Sequence, residues 1–501
     1  MLRLLGYIEK HPRKALLAVL LFHLALYFVF APVIRLVDDY NYITSAYDLL
    51  ERGKIEVLNT FAGRWIIFPL VLSMKLFGVN SYTVTLPALL ANMACIVLLY
   101  AAIPRKTLAV GAAFLVSCSY FSLFHSLHFM PDVFVNVCSL AFLVALQRYH
   151  GTGVLKWLLL GSLFLCLAVL MKLSALYLVL LFIAWLLITK KPFKHIVASF
   201  LVSSLIAGMG MLYYHYFFHD ALFRLHVIEG EHNFSVYSYH GADFTEMLQR
   251  IVLGPLKLMV EFTSWGIVVG LSMILAIGRF KSVKNDFWFF FAVGLFMLNW
   301  FGSTSLAYYT PVPIYHRMWA GSFLFLLVFL ANRAQFLKAL HLVWAILPML
   351  LYSLAFHSNS RSIVLTALLL LFLTCYFLKV KAQILAFNVL FLGFLGTWKY
   401  YPTHQQQLYQ QFQTLHELKL EPNVQVYARH PSPQKEELFA KIEELESMQL
   451  QKFGKNDTLD GYLFHPKRIT HPDYLKQIEE LRKTTILVFE NEHMAVFKSK
   501  P

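Results

Sequence analysis

The sequence has 501 residues, of which 58% are hydrophobic and only 14% are charged. A soluble domain averages roughly 25% charged residues, so this composition excludes an ordinary soluble protein. The net charge of +15 does not indicate nucleic-acid binding, because the Lys and Arg residues lie in short loops between apolar blocks, where they set the orientation of membrane helices.

The apolar blocks predict a polytopic membrane protein. They run for roughly 17–25 residues, the length needed to cross ~30 Å of hydrocarbon. The blocks, about thirteen in number, are 15–34, 81–103, 107–124, 132–148, 155–171, 173–189, 195–216, 252–278, 287–303, 318–332, 337–356, 362–379 and 382–398. The first block has no small-residue cleavage site after it, which favours a retained helix over a signal peptide. All five cysteines fall within apolar blocks, which favours buried thiols over disulfides or metal ligands.

Basic residues in alternate loops predict the orientation of the chain. They are Arg105/Lys106, Arg148/Lys156, Lys190/Lys191/Lys194, Arg279/Lys281/Lys284, Arg333/Lys338 and Lys379/Lys381. Together with the basic N-terminus they predict the cytoplasmic side of a bacterial inner membrane. The external (periplasmic) side would then hold 35–80, 125–131, the 171–173 turn, 217–250, 304–317, 357–361 and the C-terminal tail.

The first external loop, 35–80, contains two short segments with helical character. In 41–52, Ile43, Tyr47 and Leu50 share one face, and Gly53 is placed to end the helix. The apolar stretch 65–77 contains Pro69 and Lys75; if it crossed the membrane, every later basic loop would change side. We therefore expect two interfacial helices in this loop.

From 399 onward the composition becomes polar. NVQVYA, TTILVFE and HMAVFKS read as strands, and 434–450 and 472–483 as amphipathic helices. The predicted fold class is therefore an all-α polytopic membrane domain over 1–398, followed by a small α/β extramembrane domain over 399–501. The C-terminal domain carries no catalytic motif and suits a covering role or acceptor recognition.

Asp38 and Asp39 follow the first span directly. Ionised side chains beside lipid are costly and usually functional, and a carboxylate there could accept a proton from an acceptor hydroxyl. The alternative is helix capping, which explains one of the two at most.

His125, His128 and Asp132 lie in the short turn before the fourth predicted span. Imidazole and carboxylate groups are metal-ligand types, so a divalent ion stays an alternative although we expect no cofactor and no metal. For Asp132, which follows Pro131, the simpler interpretation is an N-cap.

The predicted external side also carries cations suited to a phosphate-bearing lipid headgroup: Arg64, Lys172, Arg224, Arg250 and Arg317. Snorkelling at helix ends is the alternative for any single one of them. Loop aromatics such as Tyr309 are expected in an interfacial belt.

The run DDYNYITSAYDLLERGKIEVLN, with the later run GRWIIFPLVLSMKLFGVNSYTVTLPALLANM, resembles the first external loop of the GT-C lipid-phosphosugar glycosyltransferases. The pattern is similar to the dolichyl-phosphate-mannose protein mannosyltransferase and aminoarabinose lipid A transferase group. In that group an acidic pair follows the first span, a short interfacial helix comes next, and an LP-containing second span completes the pattern. Here the pair is Asp-Asp rather than Asp-Glu, and Arg64-Trp65 replaces a Lys-Pro-Pro-like segment.

The resemblance implies a thirteen-span GT-C fold and roles for particular residues. Asp38 takes the place of the catalytic acid and Asp39 that of its neighbour. Lys172 and Arg317, with Arg64, fall where the group has basic residues near the donor phosphate. The remaining residues that we assign to the substrate are Asp132, His128 and Tyr309.

The sequence therefore predicts a membrane glycosyltransferase. It would move a sugar from a polyprenyl-phosphate donor to a hydroxyl of an envelope glycan, lipid or protein on the external face, with membrane lipids as further partners and no nucleic acid. Two alternatives stay open, a multi-span lipid or solute transporter and a non-catalytic envelope assembly protein. A transporter would be expected to carry ionisable residues near the bilayer midplane and paired halves, and neither pattern is evident here.

Overall fold

The computed structural model describes residues 2–30, 38–55, 64–232, 239, 242–278, 280–283, 286–303, 311–312 and 316–356, and five strand segments between 425 and 499. The chain divides into two compact units. The first consists of Met1–Ala31, Val57–Ile66 and Ala88–Tyr400, and the second of Pro32–Glu56, Ile67–Pro87 and Tyr401–Pro501.

Most of the described chain is helical. The helices are α1 (Leu2–Lys10), α2 (Pro12–Phe30), α3 (Asp38–Arg52), α4 (Ile67–Phe77), α5 (Ser81–Ala102), α6 (Lys106–Ser117), α7 (Tyr120–Leu127), α8 (Pro131–Thr152), α9 (Leu155–Met171), α10 (Leu176–Ile188), α11 (Phe193–Phe218), α12 (Phe223–His232), α13 (Phe244–Leu248), α14 (Gly254–Glu261), α15 (Thr263–Gly278), α16 (Phe280–Val283), α17 (Phe287–Phe301), α18 (His316–Asn332) and α19 (Ala339–Phe356).

The predicted spans fall on these helices, as far as the described residues extend. Block 155–171 coincides with α9, while block 252–278 is divided at Phe262 into α14 and α15. Within the described part of the chain, four helices are long and apolar enough to cross a membrane: α2, α5, α8 and α11. The bent pair α6–α7 would make a fifth. The last two predicted spans, 362–379 and 382–398, lie outside the described residues.

Block 107–124 is interrupted by a bend of 59° between α6 and α7. His23, fully buried on α2, lies at this break: its Nδ1 is 3.1 Å from the Ser117 carbonyl and its Nε2 is 2.8 Å from Ser126 Oγ. Asn92 of α5 donates to the Ser122 carbonyl at 2.7 Å. His23 and Asn92 thus form hydrogen bonds with backbone and hydroxyl groups at the bend. Lipid could not form these bonds, so the two side chains allow the chain to bend inside an apolar unit.

In the first unit, the loops gather in two groups at the two ends of α8. Asp132 begins α8, and its carboxylate binds Lys172 at the end of α9. Near the other end, the Tyr149 hydroxyl lies 2.8 Å from His195 Nδ1 of α11. The two ends are separated by about 25 Å along the helix. We call them the Lys172 end and the Tyr149 end.

Each end joins several loops that the sequence places on one side. At the Lys172 end, the Trp65 N–H donates to the Leu170 carbonyl at 3.5 Å, and Arg250 Nη2 donates to the Val312 carbonyl at 2.9 Å. At the Tyr149 end, Arg333 Nε donates to Asp286 Oδ2 at 2.6 Å. His150 stacks on Phe287, with ring centroids 6.0 Å apart. This grouping agrees with the predicted alternation of the loops.

In the second unit, α3 and α4 pack against each other. Gly53 ends α3 with φ +67 and donates its N–H to the Leu49 carbonyl, as the sequence predicts for a glycine C-cap. Ser73 on α4 donates to the Thr83 carbonyl at 2.6 Å, which fixes the start of α5. Burial extends around α3 from Tyr42 to Asp48. The predicted interfacial position of both helices stays a prediction.

The C-terminal segment contains the strands β1 (Gln425–Ala428), β2 (Gln449–Lys452), β3 (Tyr462–Pro466), β4 (Thr485–Glu490) and β5 (Met494–Ser499). They form one sheet in the order β2-β1-β3-β5-β4. β1 is parallel to β2 and β3, whereas β5 is antiparallel to β3 and β4. The three predicted strands coincide with β1, β4 and β5.

β2 overlaps the end of the predicted helix 434–450, so residues 449 and 450 are strand rather than helix. β2 is polar and only four residues long (QLQK), and its pairing with β1 rather than its own pattern makes it a strand. Parallel pairing requires a crossover of a dozen or more residues between β1 and β2. The rest of 434–450 and all of 472–483 lie outside the described residues.

Candidate functional site

Lys172 is the centre of the site that the structure brings together. It follows α9 in an extended conformation, with φ −160, and its N–H donates to the Ala168 carbonyl. Its Nζ donates to Asp132 Oδ1 at 2.6 Å and contacts Met318 Sδ at 2.7 Å. The Lys172 and Asp132 side chains are 13% and 7% exposed. The ammonium group is therefore mostly covered by protein atoms and points into the protein. A snorkelling lysine would instead extend toward water.

Asp132 is placed by the way α8 begins. Pro131 occupies the first helical turn, where its missing N–H costs nothing, and Met130 is the N-cap residue without a side-chain cap. The N-cap interpretation of Asp132 is therefore wrong. The carboxylate still lies in the first turn, where the positive end of the helix favours its charge.

The beginning of α18 completes this cluster. Met318, which contacts Lys172, is the third residue of α18, and Arg317 is the second residue of the same first turn. That turn has no acidic residue. A helix N-terminus that carries a cation and lies beside a second cation is a favourable place for an anion. Arg250, buried at 2% exposure, fixes the segment before α18 through its hydrogen bond to the Val312 carbonyl.

Arg64 is placed at the Lys172 end by the contacts of the next residue, Trp65. The Trp65 N–H bonds the Leu170 carbonyl, two residues before Lys172, and the Trp65 ring meets Tyr213 edge-on, with centroids 5.9 Å apart. Arg64 and the buried Arg224 both act electrostatically on Tyr214. Three of the predicted cations, Arg64, Lys172 and Arg224, are thus held on contacting elements at the Lys172 end.

His125 and His128 are both buried, at 2% and 1% exposure. The His128 ring packs on Phe124, with centroids 4.7 Å apart. Among the described residues, no group of three or more His, Cys, Asp or Glu side chains is placed to hold a metal ion. The pairing of Asp132 with Lys172 explains that carboxylate without an ion.

The remaining predicted residues are located only by the segment that carries them. Asp38 and Asp39 are the first two residues of α3, in the second unit. Arg317 is described by its backbone in α18, and Tyr309 lies outside the described residues.

At the exposed turn after α11, a hydrogen bond from His226 lowers the pKa of Asp220, and the Leu222 N–H reinforces this shift.

Sequence reasoning missed three polar side chains, two in the first unit and one in the second. Asn299 of α17 donates to Ser322 Oγ of α18 at 2.7 Å. Asn136 of α8 lies close to Gly321, so that a Cβ there would come within 2.9 Å of its Oδ1. Asp48 is buried within α3. Each is a polar residue inside an apolar or helical stretch, and that signal could have identified them.

Comparison with known proteins defines the class of fold. The family model described as dolichyl-phosphate-mannose-protein mannosyltransferase matches residues 60–214. This stretch includes Arg64, His128, Asp132 and Lys172, and it begins after the aspartate pair. No curated protein sequence matches the chain.

The chain is similar in structure to ArnT from Cupriavidus metallidurans. The crystal structure of ArnT bound to undecaprenyl phosphate aligns with a TM-score of 0.58 and 14% identity, over 96% of this chain and 97% of that one. The apo structure gives a TM-score of 0.57 and 13% identity over the same shares. These findings confirm the predicted resemblance to the GT-C group and its multi-pass membrane fold.

Proposed function

We propose that this protein is an integral-membrane glycosyltransferase that uses a polyprenyl-phosphate sugar as its donor. The observation that carries the proposal is the fold, which is shared over nearly the whole chain with a protein solved in complex with undecaprenyl phosphate. The family match over 60–214 supports it independently through the sequence. Fold alone does not fix an activity, so the residues at the Lys172 end must supply the chemistry.

The donor phosphate is proposed to bind at the Lys172 end. Lys172 lies beside the first turn of α18, which contributes Arg317 and its positive helix end. The Lys172–Asp132 pair holds the ammonium group in place before the donor arrives. Because the pair is mostly buried, the Lys172 ammonium group attracts a phosphate that reaches it more strongly than it would in water. Arg64 is proposed as a third phosphate ligand.

The reaction is proposed as a single displacement. The Asp38 carboxylate accepts the proton of the acceptor hydroxyl, and the acceptor oxygen forms a bond to the anomeric carbon. The bond between that carbon and the phosphate oxygen breaks, and its electron pair leaves with the polyprenyl phosphate. Lys172, Arg317 and Arg64 stabilise the departing negative charge. Asp39 supports Asp38, while Asp132, His128 and Tyr309 are proposed to contact the substrate.

The proposed orientation places this chemistry on the periplasmic face of the inner membrane. Loops of the Lys172 end carry the predicted external segments, and loops of the Tyr149 end carry the basic residues expected in the cytoplasm. The acceptor would then be an envelope glycan, lipid or protein with a free hydroxyl. No nucleotide sugar would be required on that side.

The test is sugar transfer by the Asp38→Asn variant in proteoliposomes supplied with a panel of polyprenyl-phosphate sugars. We expect the variant to insert and unfold like the wild type but to lose transfer by about 100-fold or more, the size typical of a missing general base. Asp243→Asn is the matched control, since Asp243 is an exposed N-cap of α13 and Asn caps equally well.

Retained transfer by Asp38→Asn would contradict the assigned base. Absence of transfer by the wild type with every donor, together with movement of the intact lipid across the bilayer, would support the transporter alternative instead.

A further inference from the structure

The Tyr149 end carries a second cluster of cations that the proposed reaction does not use. Five basic side chains lie in or beside two neighbouring turns, α8–α9 and α10–α11: Arg148, Lys156, Lys190, Lys191 and Lys194. We call them the basic cluster. Four are exposed and Lys191 is half-buried. The hydrogen bond between Tyr149 and His195 ties the two turns together.

Within the part of the chain that the structure describes, no carboxylate forms an ion pair with these five cations. The sequence contains no Asp or Glu between Asp132 and Asp220. Asp286, which precedes Phe287 at the Tyr149 end, is already bonded to Arg333 and caps α17 through the Phe289 N–H. The positive charge of the basic cluster is therefore available to an external anion.

Aromatic rings hold these cations in a defined arrangement. Lys191 Nζ lies over two rings, 5.2 Å from the centroid of Tyr149 and 5.1 Å from that of Trp185. Arg148 and Lys156 both lie over Trp157, at 4.6 and 5.4 Å. Basic residues that serve only to orient a helix do not require such contacts. Burial also lowers the pKa of Lys191, so an adjacent anion would favour its charged form.

The backbone at Lys190 is a further sign of a built site. The Lys191 N–H donates to the Leu186 carbonyl and the Lys190 N–H to the Leu187 carbonyl, the pattern of a Schellman motif. Lys190 occupies its left-handed position, with φ +49, where glycine is the usual residue. Lys190 therefore has a backbone conformation that is less strained for glycine than for a residue with a side chain.

Exposed apolar side chains adjoin the basic cluster. Leu187 and Ile188 at the end of α10 are 67% and 68% exposed, and Phe193 at the start of α11 is 79% exposed. These side chains lie at the ends of apolar helices, where acyl chains meet headgroups. An anion that contacts both the lysines and these side chains carries a hydrocarbon part, which distinguishes a lipid from free phosphate.

We propose that the basic cluster binds the headgroup of an anionic phospholipid, with its acyl chains against Leu187, Ile188 and Phe193. This site is about 25 Å from Asp132 along α8 and stands independently of the proposed transfer reaction. The phosphate would be contacted by Lys190, Lys191 and Lys194 of one turn and by Arg148 of the other.

The experiment measures the thermal unfolding of the full-length protein in an uncharged detergent. Phosphatidylglycerol, phosphatidylcholine or inorganic phosphate is added in separate titrations. We expect phosphatidylglycerol to raise the Tm of the wild type, and the other two to leave it nearly unchanged. An equal rise with inorganic phosphate would indicate a soluble anion site, and an equal rise with phosphatidylcholine would indicate a general lipid effect; either overturns the proposal.

The variant K190Q/K191Q/K194Q removes three charges from the basic cluster. We expect this variant to need at least about tenfold more phosphatidylglycerol than the wild type for the same rise in Tm. The matched control, R105Q/K281Q/K338Q, removes three exposed cations from other turns and should keep the wild-type response. Equal losses in both variants would show a diffuse charge effect and overturn the site.

A further variant tests whether a loss of binding comes from misfolding. K190G removes one cation but suits the left-handed backbone, so we expect it to fold at least as well as the wild type and to bind phosphatidylglycerol more weakly. Unchanged binding by K190G and by the triple variant would refute the proposal.

Discussion

Lys172 follows an apolar helix, and on sequence alone its ammonium group fits a side chain that reaches outward to water. In the folded unit it turns inward to Asp132, which lies 40 positions earlier in the chain. Each charge lies at the helix end that favours it, Asp132 in the first turn of α8 and Lys172 after the last turn of α9. The arrangement fixes one cation against the start of α18 and leaves part of its charge for a ligand.

Removal of either partner of this pair is expected to destabilise the protein. Lys172→Met leaves a buried carboxylate uncompensated and Asp132→Asn leaves a buried ammonium group, each at a cost of about 3–5 kcal/mol. The double variant Lys172→Met/Asp132→Asn contains no buried charge at this position and should recover most of that loss. The free energy of unfolding in mixed micelles measures all three.

The same variants separate stability from donor binding. If Lys172 contacts the phosphate, the double variant recovers its stability without recovering sugar transfer. Lys172→Arg keeps a cation, so it should retain part of the stability and part of the transfer activity. A double variant that transfers sugar at the wild-type rate would restrict Lys172 to a structural role. Additive losses of stability in the two single variants would show that the pair is not coupled.

At the scale of elements, hydropathy predicts where helices lie better than it predicts how they are interrupted. Block 155–171 coincides with α9 because its ends are marked by a turn glycine and by Lys172. Block 107–124 gave no sign of its 59° bend, because the groups that stabilise the bend, His23 and Asn92, come from other helices. The pairing of Lys172 with Asp132 was hidden for the same reason, since no local pattern records a contact between distant residues.

Close helix packing in the first unit depends on glycines that face another backbone. A Cβ at Gly270 of α15 would come within 2.9 Å of the Ala345 Cβ and 3.1 Å of its Cα, on α19. Small residues at such a crossing let two membrane helices approach closely. A methyl group at this position therefore cannot be absorbed by rotation of a flexible side chain.

Gly270→Ala is expected to destabilise the protein by about 1–3 kcal/mol, the usual cost of overpacking. The control is Gly208→Ala on α11, where a Cβ meets nothing within 4 Å and the change should be neutral or stabilising by up to about 1 kcal/mol. Thermal unfolding in detergent compares the two. Equal effects of both variants would contradict the close approach of α15 and α19.

For the whole molecule, the contacts and the charges divide the first unit in the same way. Four of the loops with basic residues contact one another through Tyr149, His195, Asp286 and Arg333 or their neighbours, and segments predicted to be external contact one another near Lys172. Loops that follow successive membrane helices come to alternate ends of the helices, and the positive-inside rule assigns the basic end to the cytoplasm. The proposed orientation, which rests on the positive-inside rule, puts the Tyr149 end in the cytoplasm and the Lys172 end outside.

This orientation predicts the accessibility of single introduced cysteines. Thr245 of α13 is exposed in a predicted external loop, and Gly151 at the end of α8 is exposed beside the basic cluster, with no atom near its Cβ. In intact spheroplasts, a membrane-impermeant maleimide should label Thr245→Cys and leave Gly151→Cys unlabelled until the membrane is permeabilised. The wild type measures the background from its own five cysteines, of which Cys95, Cys118 and Cys138 are buried and Cys166 is half-buried. Labelling of Gly151→Cys in intact cells with protection of Thr245→Cys would invert the membrane orientation and place the Lys172 end, with the proposed transfer site, in the cytoplasm.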